Sequence, residues 1–205
     1  MEYSRPNFIQ LTRYIAVALA IVIALFVCQY LIRGCNSIYS YELGKGYLKM
    51  ALYDKKFDNN QVWLIESSLI KALKEDPKNP EILFELGKFY YYNTYYHDQK
   101  NSIKEQIESL LNAKKKFEKA LHHKPTDYYS HIYLAVINTD IIHFKHSSPQ
   151  FYNYKMSSYR DIICMASKHI EAALLLAPNN EYVKKQYTLW KDRMEWLIPQ
   201  IESKE

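Results

Sequence analysis

Residues 113–125 read AKKKFEKALHHKP, and the same frame recurs upstream at 65–77 (IESSLIKALKEDP) and downstream at 166–178 (ASKHIEAALLLAP). In each, an Ala-Leu pair precedes a proline: Ala72-Leu73 to Pro77, Ala120-Leu121 to Pro125, Ala173-Leu174 to Pro178. A small residue beside a leucine near a helix end lets a neighbouring helix approach closely. The proline that follows has no amide hydrogen to continue the ladder, so each copy predicts a helix end and a turn. A helix ending that returns along the chain predicts stacked helical hairpins, each burying the apolar face its neighbour leaves open.

Outward from these turns, apolar residues recur at helical spacing. Helices are expected over 37–53, from about Gln61 to Glu75, from Pro80 behind an Asn79 cap, and through Ile107, Leu110, Ala113 and Phe117 to Ala120. A fifth is expected behind Thr126 or Asp127, a sixth from Pro149 to Ala173, and a last one from Asn180-Glu181 through Trp190 to Leu197. The chain has only four glycines and no run of strand-like alternation, so the expected class is all-α. Twenty tyrosines are its compositional oddity, gathered at 90–92, 95–96, 128–129 and 152–159.

The spacing within these helices resembles the tetratricopeptide repeat (TPR) family. That family places Leu-Gly and then Tyr in the first helix of each hairpin, as in Leu43-Gly44 with Tyr47 and Leu86-Gly87 with Tyr90. Its second helix carries a small residue, an apolar one, Ala and then Pro. Ala113, Phe117, Ala120 and Pro125 fit, as do Ala166, Ile170, Ala173 and Pro178, while Ile65 stands in the small position before Leu69, Ala72 and Pro77. The likeness covers about residues 37–203 and implies an irregular solenoid of about three helix pairs (37–77, 79–125, 126–178) closed by a capping helix over 180–203. The prolines stand further apart than the family repeat of about 34 residues, so longer helices or loops around 53–60, 93–102 and 144–156 are expected. Ala135 and Asn138 replace the Gly and Tyr in the third pair.

Ahead of the repeats, Tyr14 to Ile32 reads YIAVALAIVIALFVCQYLI, without a charge and bracketed by Arg13 and Arg33. As a helix it spans roughly 28 Å, the thickness of a bilayer's hydrocarbon core. Residues 1–13 form a short basic tail, 14–33 the expected single-pass transmembrane helix, and 34–205 the helical domain. A long domain crosses largely regardless of charge, so residues 34–205 are expected on the extracytoplasmic face, periplasmic in a bacterium. Ile32-Arg33-Gly34-Cys35 also resembles a lipoprotein signal with the lipid on Cys35. Against that, Arg33 replaces the small lipobox residue and the apolar run exceeds a cleaved signal's.

The net charge of +5 is modest, and the lysines at 114–119 are interleaved with Glu118, which reads as a solvated helix face rather than a nucleic-acid surface. Cys28, Cys35 and Cys164 form no framework, and Cys164, between Ile163 and Met165, is expected to be a small core residue. No phosphate loop, CxxC, HExxH or GxSxG occurs, so no catalytic residue, metal or cofactor is expected. His143 with His146 is the nearest to metal spacing but reads better as a helix end. Some TPR proteins clamp a peptide carboxylate with Lys and Asn. Here Tyr41, Lys45, Phe84, Lys88, Ile132 and Val136 hold those places, so an aromatic surface of Tyr41, Phe84, Tyr91, Tyr95 and Tyr128 is the expected partner-binding face, with helix packing the competing role for each ring.

The resemblance and the anchor together lead to an expected membrane-anchored scaffold or accessory subunit. Its partners would be the lipid bilayer and other proteins, subunits of a membrane complex first among them, and not nucleic acid. Two alternatives stand beside it: a lipoprotein assisting solute transport or envelope assembly, and an N-anchored mitochondrial receptor or complex subunit.

Overall fold

The structure, a computed structural model, describes residues 8–97, 102–147 and 158–202. Among these the chain forms seven helices: α1 (Phe8–Asp54), α2 (Asn59–Glu75), α3 (Pro80–Tyr96), α4 (Ile103–His123), α5 (Tyr128–Ser147), α6 (Tyr159–Leu176) and α7 (Glu181–Glu202). No strand occurs among the described residues, only an isolated bridge between Phe57 and His97. The main helix contacts are within the pairs α1–α2, α3–α4 and α5–α6. Each pair also meets the next, and α7 closes against α6 and α5.

The three recurring turns have the same bonding. The amides of Asp76, Lys124 and Ala177, each just before the proline, donate to the carbonyls of Ala72, Ala120 and Ala173 at 3.0, 2.8 and 3.0 Å. Steric conflict with the proline ring pushes these residues out of the helical region, to φ −132°, −139° and −141°. Two residues past each proline, the amides of Asn79, Asp127 and Asn180 donate back to the carbonyls of Asp76, Lys124 and Ala177. Those same side chains then cap the next helix: Asn79 Oδ1 accepts from Glu81 and Ile82, Asp127 from Ser130, and Asn180 Oδ1 from Tyr182 and Val183. Ala72, Ala120 and Ala173 are buried, whereas Pro77, Pro125 and Pro178 are exposed.

At the opposite end of the hairpins the caps are of another kind. Asp58 with Gln61, Ser102 with Glu105 and Ser158 with Asp161 each form a reciprocal capping box, in which the cap side chain accepts from the third helical amide and that residue's side chain accepts from the cap amide. The box at Asp58 starts α2 ahead of the expected Gln61. Pro149, expected to open the sixth helix, lies outside the described residues, and α6 starts behind Ser158.

The helix expected from Ser37 has no start of its own, because α1 runs unbroken from Phe8 to Asp54. No proline lies between Ile32 and Ser37, and one glycine there costs only about 1 kcal/mol of helix propensity. Ser37, Ser40, Gly44, Leu48 and Ala51 continue a buried stripe against α2, and Ser37 Oγ donates to Ala72 O at 3.1 Å. Ahead of that stripe Tyr14 to Ile32 is exposed throughout. Among the described residues one helix is thus long and apolar enough to cross a membrane.

Three apolar clusters fill the domain. Leu48, Ile65, Leu69, Leu86 and Phe89 join α1, α2 and α3, with Phe57 from the α1–α2 connection inserted against Phe89. Leu110, Phe117, Leu134, Ile141 and Met194 join α4, α5 and α7, and Ile132, Ile170, Ala173 and Val183 join α5, α6 and α7. Burying one such side chain stabilises the fold by about 1.5–3 kcal/mol.

Two expected placements are corrected. Cys164 is exposed, because the inward stripe of α6 is Ile162, Ala166, Ile170 and Ala173, and a residue two positions past Ile162 points to the far side of the helix. The lysines of α4 are not a uniformly solvated face, since Lys114 Nζ donates to the buried Asn138 Oδ1 at 3.0 Å and Lys116 is half-buried, which lowers its pKa. The loops expected around 93–102 and 144–156 begin later, as α3 runs through Tyr96 and α5 through Ser147.

Candidate functional site

Helix α3 ends in the run YYYNTYY at 90–96. Helical spacing pairs its rings by fours: Tyr91 meets Tyr95 edge-on at 5.3 Å and Tyr92 stacks on Tyr96 at 5.8 Å. Helix α5 presents Asp140, His143 and Phe144 to these rings, and α7 presents Arg193. Together they line an open pocket of about 620 Å³.

Asp140 anchors its floor. Its side chain is 5% exposed, its Oδ1 is paired with Arg193 Nη1 at 2.6 Å, and its Oδ2 accepts from the Tyr95 hydroxyl at 2.5 Å. A carboxylate this deep is tolerated only when both oxygens are satisfied. Burial first, and then the Asp140 charge, push the Tyr91 and Tyr95 phenols far above their ordinary range, so both stay protonated donors. Tyr92 shares a 3.0 Å hydrogen bond with Tyr133, whose ring stacks on Phe117 at 4.8 Å and so ties the pocket to the core. Arg193, 39% exposed, carries the remaining guanidinium donors toward solvent. The arrangement offers aromatic faces, phenolic hydroxyls and one partly exposed guanidinium. Both oxygens of its carboxylate are engaged, and the His143 imidazole stands on its wall.

Of the five rings expected on the binding face, only Tyr91 and Tyr95 enter this pocket. Tyr41 and Phe84 line a smaller cleft of about 180 Å³ with Tyr129, Glu85 and Lys124. There Lys45 lies over the Tyr41 ring, and Lys88, paired with Glu85 at 2.9 Å, lies over Phe84. Tyr128 lines neither; it packs on Tyr129 at 4.3 Å, and its hydroxyl accepts from Asn180. Gly44 and Gly87 sit where a Cβ would meet Leu69 and Phe117, while Tyr47 and Tyr90 pack beside the first apolar cluster and the Tyr90 hydroxyl donates to Glu66 at 2.7 Å.

Asp140, Phe144, Arg193, Tyr92 and Tyr96 are absent from the residues expected by sequence. For Asp140 a signal exists: a carboxylate between Ile137 and the pair Ile141-Ile142 on a helix needs a partner. Arg193 carries no comparable mark among its neighbours Asp192 and Glu195.

A second polar contact joins α5 to α6. The Nδ1 atoms of His131 and His169 are 3.0 Å apart, and His131 Nε2 lies 3.3 Å from the Pro125 carbonyl. That carbonyl needs a donor, so His131 carries its proton on Nε2 and accepts at Nδ1 from His169. Burial, then the charges of His131 and Lys114, lower the His169 pKa to about 4, and burial lowers that of His131. Among the described residues no three His, Cys, Asp or Glu side chains come together as a metal site.

No protein-family model matches the sequence, and no curated protein or solved structure is significantly similar to it.

Proposed function

We propose that this chain is a membrane-anchored adaptor of TPR type, without chemistry of its own, which holds a segment of a partner protein in the tyrosine pocket of α3, α5 and α7. The pocket with its engaged Asp140 is the observation that carries this reading, because rigid aromatic rings with hydroxyl donors give contact area at little entropic cost. The alternation of Asx-capped turns and capping boxes supports a repeated hairpin unit, and the exposed apolar part of α1 supports the anchor. Anchoring raises the local concentration of the domain for partners in the same membrane.

The test compares proteins copurifying in mild detergent with the full chain and with its His143→Glu form. His143 is an exposed residue on the pocket wall, where an added carboxylate alters the charge of the pocket without disturbing the core. A partner lost with His143→Glu, at unchanged thermal stability, supports the adaptor. Recovery of the same proteins by both forms refutes the assignment of the pocket.

The aromatic lining also favours a second reading, capture of a small aromatic solute by a form lipidated on Cys35. Intact mass separates the two, since lipidation requires loss of the residues before Cys35.

A further inference from the structure

Where the apolar part of α1 ends, a second recess opens. It holds about 430 Å³ between α1 and the α2–α3 turn, and is lined by Tyr30, Arg33, Ser37 and Ile38 on one side and by Glu75, Asp76 and Asn79 on the other. Its depth along α1 is set by the helix itself. Arg33 directly follows the apolar run, and Ile38, 66% exposed, lies about 7.5 Å further along at the helical rise. That interval corresponds to the headgroup layer flanking the hydrocarbon core. Tyr30, 78% exposed, stands at its inner edge, where amphipathic rings settle.

The charges in the recess are incompletely matched. Arg33 Nε is 3.9 Å from Glu75 Oε2, at the outer limit of an ion pair, and the Arg33 side chain is 62% exposed. Asp76 uses Oδ2 to accept from Asn79 Nδ2 at 2.9 Å. The walls thus present one guanidinium and two carboxylates with open acceptor positions. An anionic phosphate alone is repelled by the carboxylates, and a cation alone leaves Arg33 without a full partner. A ligand with a phosphate and an ammonium a few bonds apart complements both sides. The carboxylate wall favours a primary ammonium, with its N–H donors, over a quaternary one that has none.

We propose that this recess binds the phosphoethanolamine headgroup of a bilayer phospholipid, with the phosphate on Arg33 and the ammonium on Glu75 and Asp76. The inference rests on the membrane-anchored reading of α1. Lipid seated there would fix the α2–α3 turn, and with it the domain, against the membrane surface.

The full chain is reconstituted in nanodiscs containing equimolar phosphatidylethanolamine, phosphatidylcholine and phosphatidylglycerol, and the lipids it retains are read by native mass spectrometry. Phosphatidylethanolamine is expected in excess over either competitor by about threefold or more. Arg33→Gln combined with Glu75→Gln is expected to level the three lipids while leaving the circular dichroism and thermal midpoint unchanged. Equal retention by the wild-type chain, or a preference that survives both substitutions, overturns the proposal. Soluble glycerophosphoethanolamine is expected to bind more weakly than the lipid, and binding of it as tight as that of phosphatidylethanolamine overturns the lipid as source. Vesicle flotation separates the two levels of the argument: a chain that fails to float loses the anchor and this inference together, whereas one that floats without lipid preference loses this inference alone.

Discussion

Replacing Gly87 by alanine tests the helix contact on which the α3–α4 pair depends. A Cβ built at Gly87 falls 2.8 Å from Phe117 Cζ and 2.9 Å from both Cε atoms. The ring has no room to retreat: Phe117 is 0% exposed, stacks on Tyr133 at 4.8 Å and meets Phe84 edge-on at 5.5 Å. Overpacking of this kind costs about 1–3 kcal/mol, against which alanine returns about 1 kcal/mol of helix propensity. Gly87→Ala is therefore expected to destabilise by up to about 2 kcal/mol. Gly46 is the internal control, since nothing lies within 4 Å of its Cβ position, and Gly46→Ala is expected to gain up to about 1 kcal/mol. Urea unfolding of the full chain in mild detergent, followed by circular dichroism, measures both. Phe117→Leu is expected to cost less in the Gly87→Ala background than alone, with a coupling of about 0.5–3 kcal/mol. Equal stabilisation by the two alanines, or additive behaviour of Gly87→Ala and Phe117→Leu, refutes the close approach.

The His131–His169 contact predicts a pH dependence. Both folded pKa values lie below that of the unfolded chain, so the stability they contribute is complete above about pH 6.5 and is lost as pH falls toward the His169 value of about 4. Allowing for partial solvent access, the loss is roughly 1–2 kcal/mol, and unfolding midpoints of His169→Gln should be flatter across that window. In the pocket, Arg193→Met strips a charge partner from the 5%-exposed Asp140 and is expected to destabilise by about 3 kcal/mol or more, whereas Asp140→Asn costs less because Arg193 is already partly in water. Equal losses in urea unfolding would contradict that asymmetry. Exposed Cys164 is expected to react with a membrane-impermeant maleimide in the native state, in a chain where Cys28 and Cys35 are serine. Labelling from one side of sealed vesicles then reports the side on which the domain lies.

The helical class and the three proline turns were legible because their causes are local: a proline removes an amide, and an Asn or Asp two residues on supplies the next cap. The continuity of α1 was harder to read, since it depends on Ser37, Ser40 and Gly44 finding α2. Cys164 misled because its neighbours in sequence are apolar, while burial follows the helical stripe of Ile162, Ala166 and Ile170. The candidate pocket was half legible. Tyr91 and Tyr95 are visible as a spaced aromatic pair, but Asp140 and Arg193 come from two other helices, and only packing brings them together.

The caps explain how a chain with unevenly spaced turns still builds one repeated unit. Where the proline turns occur, the chain reverses in a fixed number of residues with the same two backbone bonds, so neighbouring hairpins are held at a fixed approach. Where the capping boxes occur, the helix start is set by a side chain three residues away and not by what precedes it, so the connection before Asp58, Ser102 or Ser158 can vary in length. Insertions are thus expected to be tolerated at the capping-box end and to disturb the packing at the proline-turn end. The tyrosine pocket lies at the tolerant end, beside the last turns of α3 and α5, and the Arg33–Glu75 recess lies at the fixed end, beside the first proline turn. On the proposed membrane-anchored reading, a surface that must hold a constant height above a membrane belongs at the fixed end, and one that must suit a particular partner belongs where the chain is free to change.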